Sequence, residues 1–195
     1  MTSSVFLPES VNTVASFAAA GAALLHALSN QTWRPLATMA EPVPADAALS
    51  WLSEPGSLTA RLRAMPGQFA LHCLCEASVH NGGVRQVLLC MDGRPWIWGL
   101  THIEAGLAVA CPELLRLGGQ ALGDWLFHHP ELQRDALEYA DLGLSPCWVQ
   151  AMAVLGQPIG TALWARRCRW HLDGAALTVV ELFLPAAPLY AGVEE

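Results

Sequence analysis

V-R-Q-V-L-L-C-M-D-G-R-P-W-I-W-G-L-T-H-I, residues 84–103, decides the fold, because it places two β-rich runs on either side of Asp92-Gly93. A type I′ turn needs positive φ at both central residues, which Asp and Gly tolerate, and its twist matches that of paired strands. The stretch therefore predicts a β-hairpin. With a two-residue loop Met91 faces Arg94. Counting back along an unbroken ladder then pairs Leu89 with Trp96, Val87 with Trp98 and Arg85 with Leu100. Arg85 shares its face with Val87, Leu89 and Met91, an apolar set, so it is expected to point inward. An inward guanidinium without a counter-charge is costly and asks for an anion. Trp96 and Trp98, two residues apart, are expected on one face, where packing explains them more cheaply than sugar or base stacking.

The C-terminal part repeats the pattern: residues 161–172, Asp173-Gly174, then 175–184. In the last strand Leu177, Val179 and Phe183 lie on one face and Val180 and Leu182 on the other, so it is expected in the middle of the sheet, covered on both sides. Glu181 is its only charge, and a carboxylate there needs a cationic partner or a proton. A two-residue turn places Arg166 opposite Glu181, which would make an ordinary structural ion pair. Residues 68–77 read as a further strand. Ser57 is a plausible N-cap for a helix over 58–65, with Arg61 and Arg63 favourable to its C-terminal end. Short helices are expected at 112–117, closed by Gly118-Gly119, and at 122–128. The proline-containing stretch 34–48 reads as a surface linker, and 130–160 as mixed helix and loop. The fold class is thus α+β, a single domain on an antiparallel sheet. Residues 1–50 form an N-terminal Ala-rich helix plus linker, and 51–195 the main domain.

Composition narrows the chemistry. The chain has 195 residues, 53% hydrophobic and 14% charged, against about 25% charged in an average soluble domain. All ten basic residues are Arg, which excludes lysine Schiff-base catalysis and a Walker-type phosphate loop. A net charge of −7 leaves no basic face for nucleic acid. Six cysteines are too sparse for a disulfide-stapled secreted domain. Cys73 and Cys75, flanking Leu74, should share a strand face roughly 6.5 Å apart, too far to bridge comfortably, and the thiols are expected to be reduced and buried in a cytoplasmic protein. No zinc-ligand spacing is present, and the adjacent histidines of His128-His129-Pro130-Glu131 point apart at a helix end, so no metal is expected. Residues 14–28 are apolar but lack the cationic start of a signal peptide and fall short of the ~18 residues of a bilayer span. They read as a helix packed on the domain.

Five stretches in order carry a resemblance: W-L-S-E-P-G-S-L-T-A-R-L at 51–62, V-R-Q-V-L-L-C-M-D-G-R-P-W at 84–96, L-G-G-Q-A-L-G-D-W-L-F at 117–127, W-A-R-R-C at 164–168 and V-E-L-F-L-P-A-A-P-L-Y at 180–190. Together they resemble the chorismate–pyruvate lyase family of bacterial ubiquinone synthesis. The resemblance implies a six-stranded antiparallel sheet with helices, and helical flaps over a buried site. It implies a monomer that splits chorismate into 4-hydroxybenzoate and pyruvate without cofactor or metal. Carried over by position, Arg85 and the backbone N–H of Leu122 would hold the ring carboxylate. Glu181 and the backbone at Leu58 would meet the ring hydroxyl, with Arg85 and Glu181 as the catalytic pair. The family places a second Arg where this chain has Leu100. By the count above that Arg would face Arg85, so restoring it is expected to raise turnover.

Two readings of another class stand beside the enzyme. One is a sensor that binds a small acid without turnover, as in regulators sharing this sheet architecture, although the first fifty residues lack their basic helix-turn-helix pattern. The other is a carrier that delivers 4-hydroxybenzoate to a membrane prenyltransferase through transient contact.

Overall fold

Two tight turns organise the molecule. In the computed structural model, which describes residues 28, 31–39, 46–79, 82–143, 153 and 163–190, Asp92 and Gly93 have φ of 50° and 74°, and Asp173 and Gly174 have 49° and 82°. Those are the signs a type I′ turn demands. The first turn joins β3 (Gly82–Met91) to β4 (Arg94–Ile103), and the second joins β7 (Trp164–Leu172) to β8 (Ala175–Phe183). The hairpins meet where β4 pairs antiparallel with β8, Gly99 opposite Glu181. Outside them lie β2 (Phe69–Val79) against β3 on one side and β6 (Glu138–Asp141) against β7 on the other. Two-residue strands β1 (Arg34–Pro35) and β5 (Gln133–Arg134) pair with β6 and β7 respectively. The sheet order is β1-β6-β7-β8-β4-β3-β2, antiparallel throughout. The long strands thus match the expected sheet, and β8 is central as its two apolar faces required.

The register of the first hairpin departs from the unbroken ladder. Met91 faces Arg94 and Cys90 faces Pro95, but Leu89 faces Ile97, so Trp96 is an extra residue on β4. One residue of slip reverses every face beyond it. Arg85 therefore lies opposite Thr101, not Leu100, and Leu100 pairs with Gln86. Leu100 turns to the far face of the sheet, 2% exposed, and packs there with Leu88, Trp98 and Leu182. The two tryptophans separate for the same reason: Trp98 joins that far-face cluster, while Trp96 packs with Trp51, ring centroids 6.4 Å apart and planes at 86°. A second irregularity, at Leu74, sets Cys73 opposite Val87 and Cys75 opposite Gln86, so these cysteines do not share a face. Cys73 is exposed on its outer strand rather than buried; Cys90, Cys111 and Cys168 are buried, and these five thiols are free.

Four short helices cover the other face: α1 (Asp46–Leu52), α2 (Leu58–Arg63), α3 (Ala105–Ala110) and α4 (Leu122–Phe127). Trp51, Leu52, Leu58 and Leu62 of α1 and α2 pack on Leu89, Met91, Ile97 and Phe183. Further along the sheet, Leu107, Leu114 and Leu126 pack on Ile103, Trp170 and Leu177. Ser57 caps α2 by accepting from the Ala60 N–H at 3.3 Å, a contact worth about 1 kcal/mol. The stretch expected as a linker instead contributes β1 and the start of α1, and 130–160 contributes β5 and β6, because β5 and β6 pair with β7 and β1 pairs in turn with β6. Of the expected helix at 14–28 only Leu28 is described, and it is buried on the far face. The rest, like 144–152 and 154–162, lies outside the described residues. Near the C-terminus Tyr190 donates to the Phe183 carbonyl and accepts from the Trp164 N–H, each at 3.0 Å, and so ties the chain end to both strands of the second hairpin. Among the described residues no helix is long and apolar enough to cross a membrane.

The corrected register reverses the expectation for position 100. Leu100→Arg should bury an unpaired cation in the far-face core and lower stability by ~3–5 kcal/mol without raising turnover. Urea unfolding checks this; a variant as stable as the parent would place the side chain elsewhere.

Candidate active site

Between the two helix-covered clusters the sheet is left with a cavity of about 70 Å³. That is several times the ~10–15 Å³ that one water needs, room for a small molecule. Two adjacent cross-strand rows form its floor. One runs Arg85–Thr101–Val179–Cys168, continued outside the cavity by Glu76 opposite Arg85, and the other runs Val87–Gly99–Glu181–Arg166. Gly99 has no side chain to fill the middle: a Cβ there would stand 2.9 Å from Val87 Cγ2. The roof is the start of α2 (Gly56 to Thr59) together with Leu122, Gly123, Leu126 and Phe127 of α4. The helices touch closely, since a Cβ on Gly123 would meet Ser57 Oγ at 2.3 Å. Arg63 and Asp124 pair across their outer ends at 2.7 Å.

Arg85 points inward as the alternation required, and is 2% exposed. It is not unpaired. Nη1 pairs with the Glu76 carboxylate, and Nη2 donates to the carbonyls of Gly118 at 2.9 Å and Gln120 at 2.8 Å. Gly118 N–H in turn donates to Glu76 Oε2 at 3.1 Å. Gly118 has φ +54°, a conformation glycine adopts at no steric cost, and it lets this turn wrap the ion pair before the chain enters α4. No side chain caps that helix, because Ala121 stands at its N-cap. Its first N–H groups are therefore not taken by a capping side chain.

Glu181 meets Arg166, as the second hairpin's register required, Nε to Oε2 at 2.6 Å. Arg166 is 3% exposed at its side chain. It also donates to the carbonyls of Glu54 at 2.8 Å and Trp51 at 3.5 Å, which holds the α1–α2 connection to the sheet. A third cation, Arg134 of β5, lines the cavity next to Cys168 and Trp170. The positions expected from the sequence, Leu58, Arg85, Leu122 and Glu181, all line this one cavity. Leu58 and Leu122 open the two roof helices, Arg85 and Glu181 rise from the floor.

Glu76, which partners Arg85 beside the cavity, and Thr101 and Arg134, which line it, are not among the positions expected from the sequence. Glu76 is the charge in the apolar run of β2, and that was its available signal. Thr101 reaches the floor only through the bulge at Trp96. Arg134 sits on a strand of two residues, with no periodicity to read. As for metal, His129 Nδ1 lies 2.7 Å from Glu131 Oε1 and His128 contacts the Asp124 carbonyl; among the described residues no group of three or more His, Cys, Asp or Glu is placed to hold an ion. Chemically, the site offers an apolar slot with guanidinium groups around it and one carboxylate on its floor. That arrangement matches a small planar acid carrying a polar substituent.

The family model described as chorismate lyase matches residues 74–194, a range that holds Glu76, Arg85, Leu122, Arg134, Arg166 and Glu181 and begins after Leu58. A probable chorismate pyruvate-lyase of Shewanella amazonensis is 38% identical over 160 residues, which is 76% of this chain and 84% of that protein. A chorismate pyruvate-lyase of Erwinia tasmaniensis is 33% identical over 184 residues, 85% of this chain and 92% of that one. Among solved structures, the effector domain of PhnF from Mycobacterium smegmatis aligns with a TM-score of 0.48 at 16% identity, over 67% of this chain and 89% of that one.

Removing the partner of a buried cation is expensive. Glu76→Gln should destabilise the protein toward the lower end of the ~3–5 kcal/mol typical of broken buried pairs, because Glu76 is partly exposed while Arg85 keeps two carbonyls. A urea midpoint equal to the parent's would show that the carbonyls alone satisfy Arg85.

Proposed function

The chain belongs to the chorismate lyase family, and on that premise we propose that it converts chorismate to 4-hydroxybenzoate and pyruvate, in the cytoplasm, as a step toward ubiquinone. One observation carries the reading: Leu58, Arg85, Leu122 and Glu181 line a single small cavity. In the proposed complex the ring carboxylate lies against Arg85 and the N–H of Leu122. The Arg85 guanidinium supplies positive charge at that end of the cavity, its Nη donors being shared with Glu76 and the carbonyls of Gly118 and Gln120, and the helix start adds an N–H dipole. The ring hydroxyl lies at Glu181, with backbone at Leu58 beside it.

The reaction needs one proton moved and one bond broken. The ring carbon that bears the hydroxyl gives up its hydrogen as a proton. The electron pair left behind forms the third ring double bond, and the ether C–O bond on the neighbouring carbon breaks. Its electrons leave on enolpyruvate oxygen. The enolpyruvate takes a proton on its methylene carbon and becomes pyruvate. No water is consumed and nothing is oxidised. Aromatisation provides the driving force, so the protein has to orient the dianion, exclude water and manage that proton. Arg166 Nε orients Glu181 through its contact with Oε2 at 2.6 Å, and a carboxyl oxygen beside the hydroxyl-bearing carbon is suited both to accept the hydroxyl's hydrogen bond and to take the ring proton. The apolar walls and the paired roof helices keep solvent from competing.

Incubation of the purified protein with chorismate should yield pyruvate and 4-hydroxybenzoate in equal amounts above a no-enzyme control. Binding of 4-hydroxybenzoate without turnover would leave a carrier or sensor of small acids instead. Glu181→Gln, which keeps the shape and removes the charge, should lower kcat by about 10²–10⁴-fold, the range of general base catalysis, with 4-hydroxybenzoate still bound. An unchanged kcat would remove Glu181 from the proton's path.

A further inference from the structure

A dianionic substrate presents two carboxylates, and the reading above places one against Arg85, whose own charge is paired with Glu76. Position 100 cannot supply the second cation, because its side chain faces the opposite core. The cavity holds two other guanidinium groups, and their surroundings differ. Arg166 is neutralised by Glu181. Arg134 makes no ion pair among the described residues. It hydrogen-bonds the Pro55 carbonyl with Nη1 and the Cys168 thiol with Nε, the latter at 3.2 Å. Its guanidinium lies 5.3 Å from the Trp170 ring centroid and 5.8 Å from that of Phe127. Burial pushes the Cys168 thiol above its ordinary range, outweighing the opposing pull of Arg134, so the sulfur stays a neutral partner and leaves the Arg134 charge uncancelled.

Its placement fits the remaining carboxylate. Cys168 ends the cross-strand row that begins with Glu76 and Arg85 and passes through Thr101 and Val179. Arg85 and Cys168 are three strands apart, about 14 Å at the usual spacing of neighbouring strands. Arg134 reaches the cavity from beyond Cys168, so the two cations stand at opposite ends of the floor, with Glu181 on the adjacent row between them. A ring held at Arg85 with its hydroxyl at Glu181 would extend its side arm toward Arg134.

The geometry points to Arg134 as the residue that receives the enolpyruvyl carboxylate of chorismate, a substrate-specificity contact that the aromatic product cannot make. This inference rests on the lyase reading above and goes beyond it, by separating recognition of the substrate from recognition of the product. 4-Hydroxybenzoate lacks the side arm, so Arg134 should matter for chorismate and not for it. Once the ether breaks, the contact belongs to pyruvate alone.

The test compares the full chain with Arg134→Gln and Arg134→Lys. Chorismate affinity is read as KM, or as a calorimetric Kd if the parent protein does not turn chorismate over, and 4-hydroxybenzoate affinity as a calorimetric Kd. Arg134→Gln should weaken chorismate by at least about tenfold, the effect of one hydrogen-bonded charge, and leave 4-hydroxybenzoate within about twofold. Arg134→Lys should recover part of the loss, because it keeps a point charge. Equal weakening of both ligands would show that Arg134 only braces the roof through Pro55, and would overturn the inference; so would no change in either. Absence of turnover in the parent protein would sink the lyase reading on its own, while the ratio of the two affinities would still decide the role of Arg134.

Discussion

A guanidinium group buried to 2% exposure has to be satisfied on every side, and that requirement at Arg85 arranges much of what surrounds it. An uncompensated charge in the interior costs more than any single apolar side chain can return by packing there. The carboxylate comes from Glu76 on the neighbouring strand, and the carbonyls come from the turn at Gly118 to Gln120. That turn leads directly into α4, so satisfying the cation also sets the height of α4 over the sheet. Arg166 applies the same device on the other side, with Glu181 as carboxylate and the carbonyls of Trp51 and Glu54 ahead of α2. The roof is held by charged side chains that reach up from the floor to its connecting backbone. Apolar packing alone, which has no direction, would leave two helices of six residues each poorly located.

Legibility in the sequence followed the strength of the local code. Asp-Gly between β-rich runs is a strong signal, and both hairpins were readable from it. The inward direction of Arg85 and the pairing of Arg166 with Glu181 followed from strand alternation, because no irregularity intervenes between the second turn and Glu181. The first hairpin did not allow the same count. Pro95 has no N–H to donate to the ladder, and the extra residue beside it, Trp96, shifts the register. That one residue moved Leu100 to the far face and brought Thr101 to the site in its place. Periodicity cannot show such a step, since each flanking run is regular by itself. The irregularity at Leu74 hid Glu76 in the same way. Arg134 depends on tertiary placement alone: two residues of strand pairing to His171 and Trp170 carry no pattern of their own.

The division of labour among the arginines also shows how a chain so poor in charge can concentrate cationic groups in one cavity. Three guanidinium groups line one cavity, and each is engaged by backbone carbonyls as well as by any carboxylate. Lysine could not replace them easily: a single ammonium lacks the planar fork needed to bridge a strand, a turn and a ligand at once.

The seam between β4 and β8 joins partners such as Gly99 and Glu181, which lie far apart along the chain, whereas each hairpin closes through a two-residue turn. Hairpins form within microseconds, but pairing across so long a loop must first meet a larger entropic cost. Arg85 belongs to one hairpin and Glu181 to the other, so the cavity they share is complete only once the seam has closed. A ligand that touched both would act as a strut across that junction. Bound by the closed state alone, it would raise the molecule's resistance to unfolding with its concentration in the measure of that linkage. Occupancy and integrity of the fold are, in this architecture, two readings of one equilibrium.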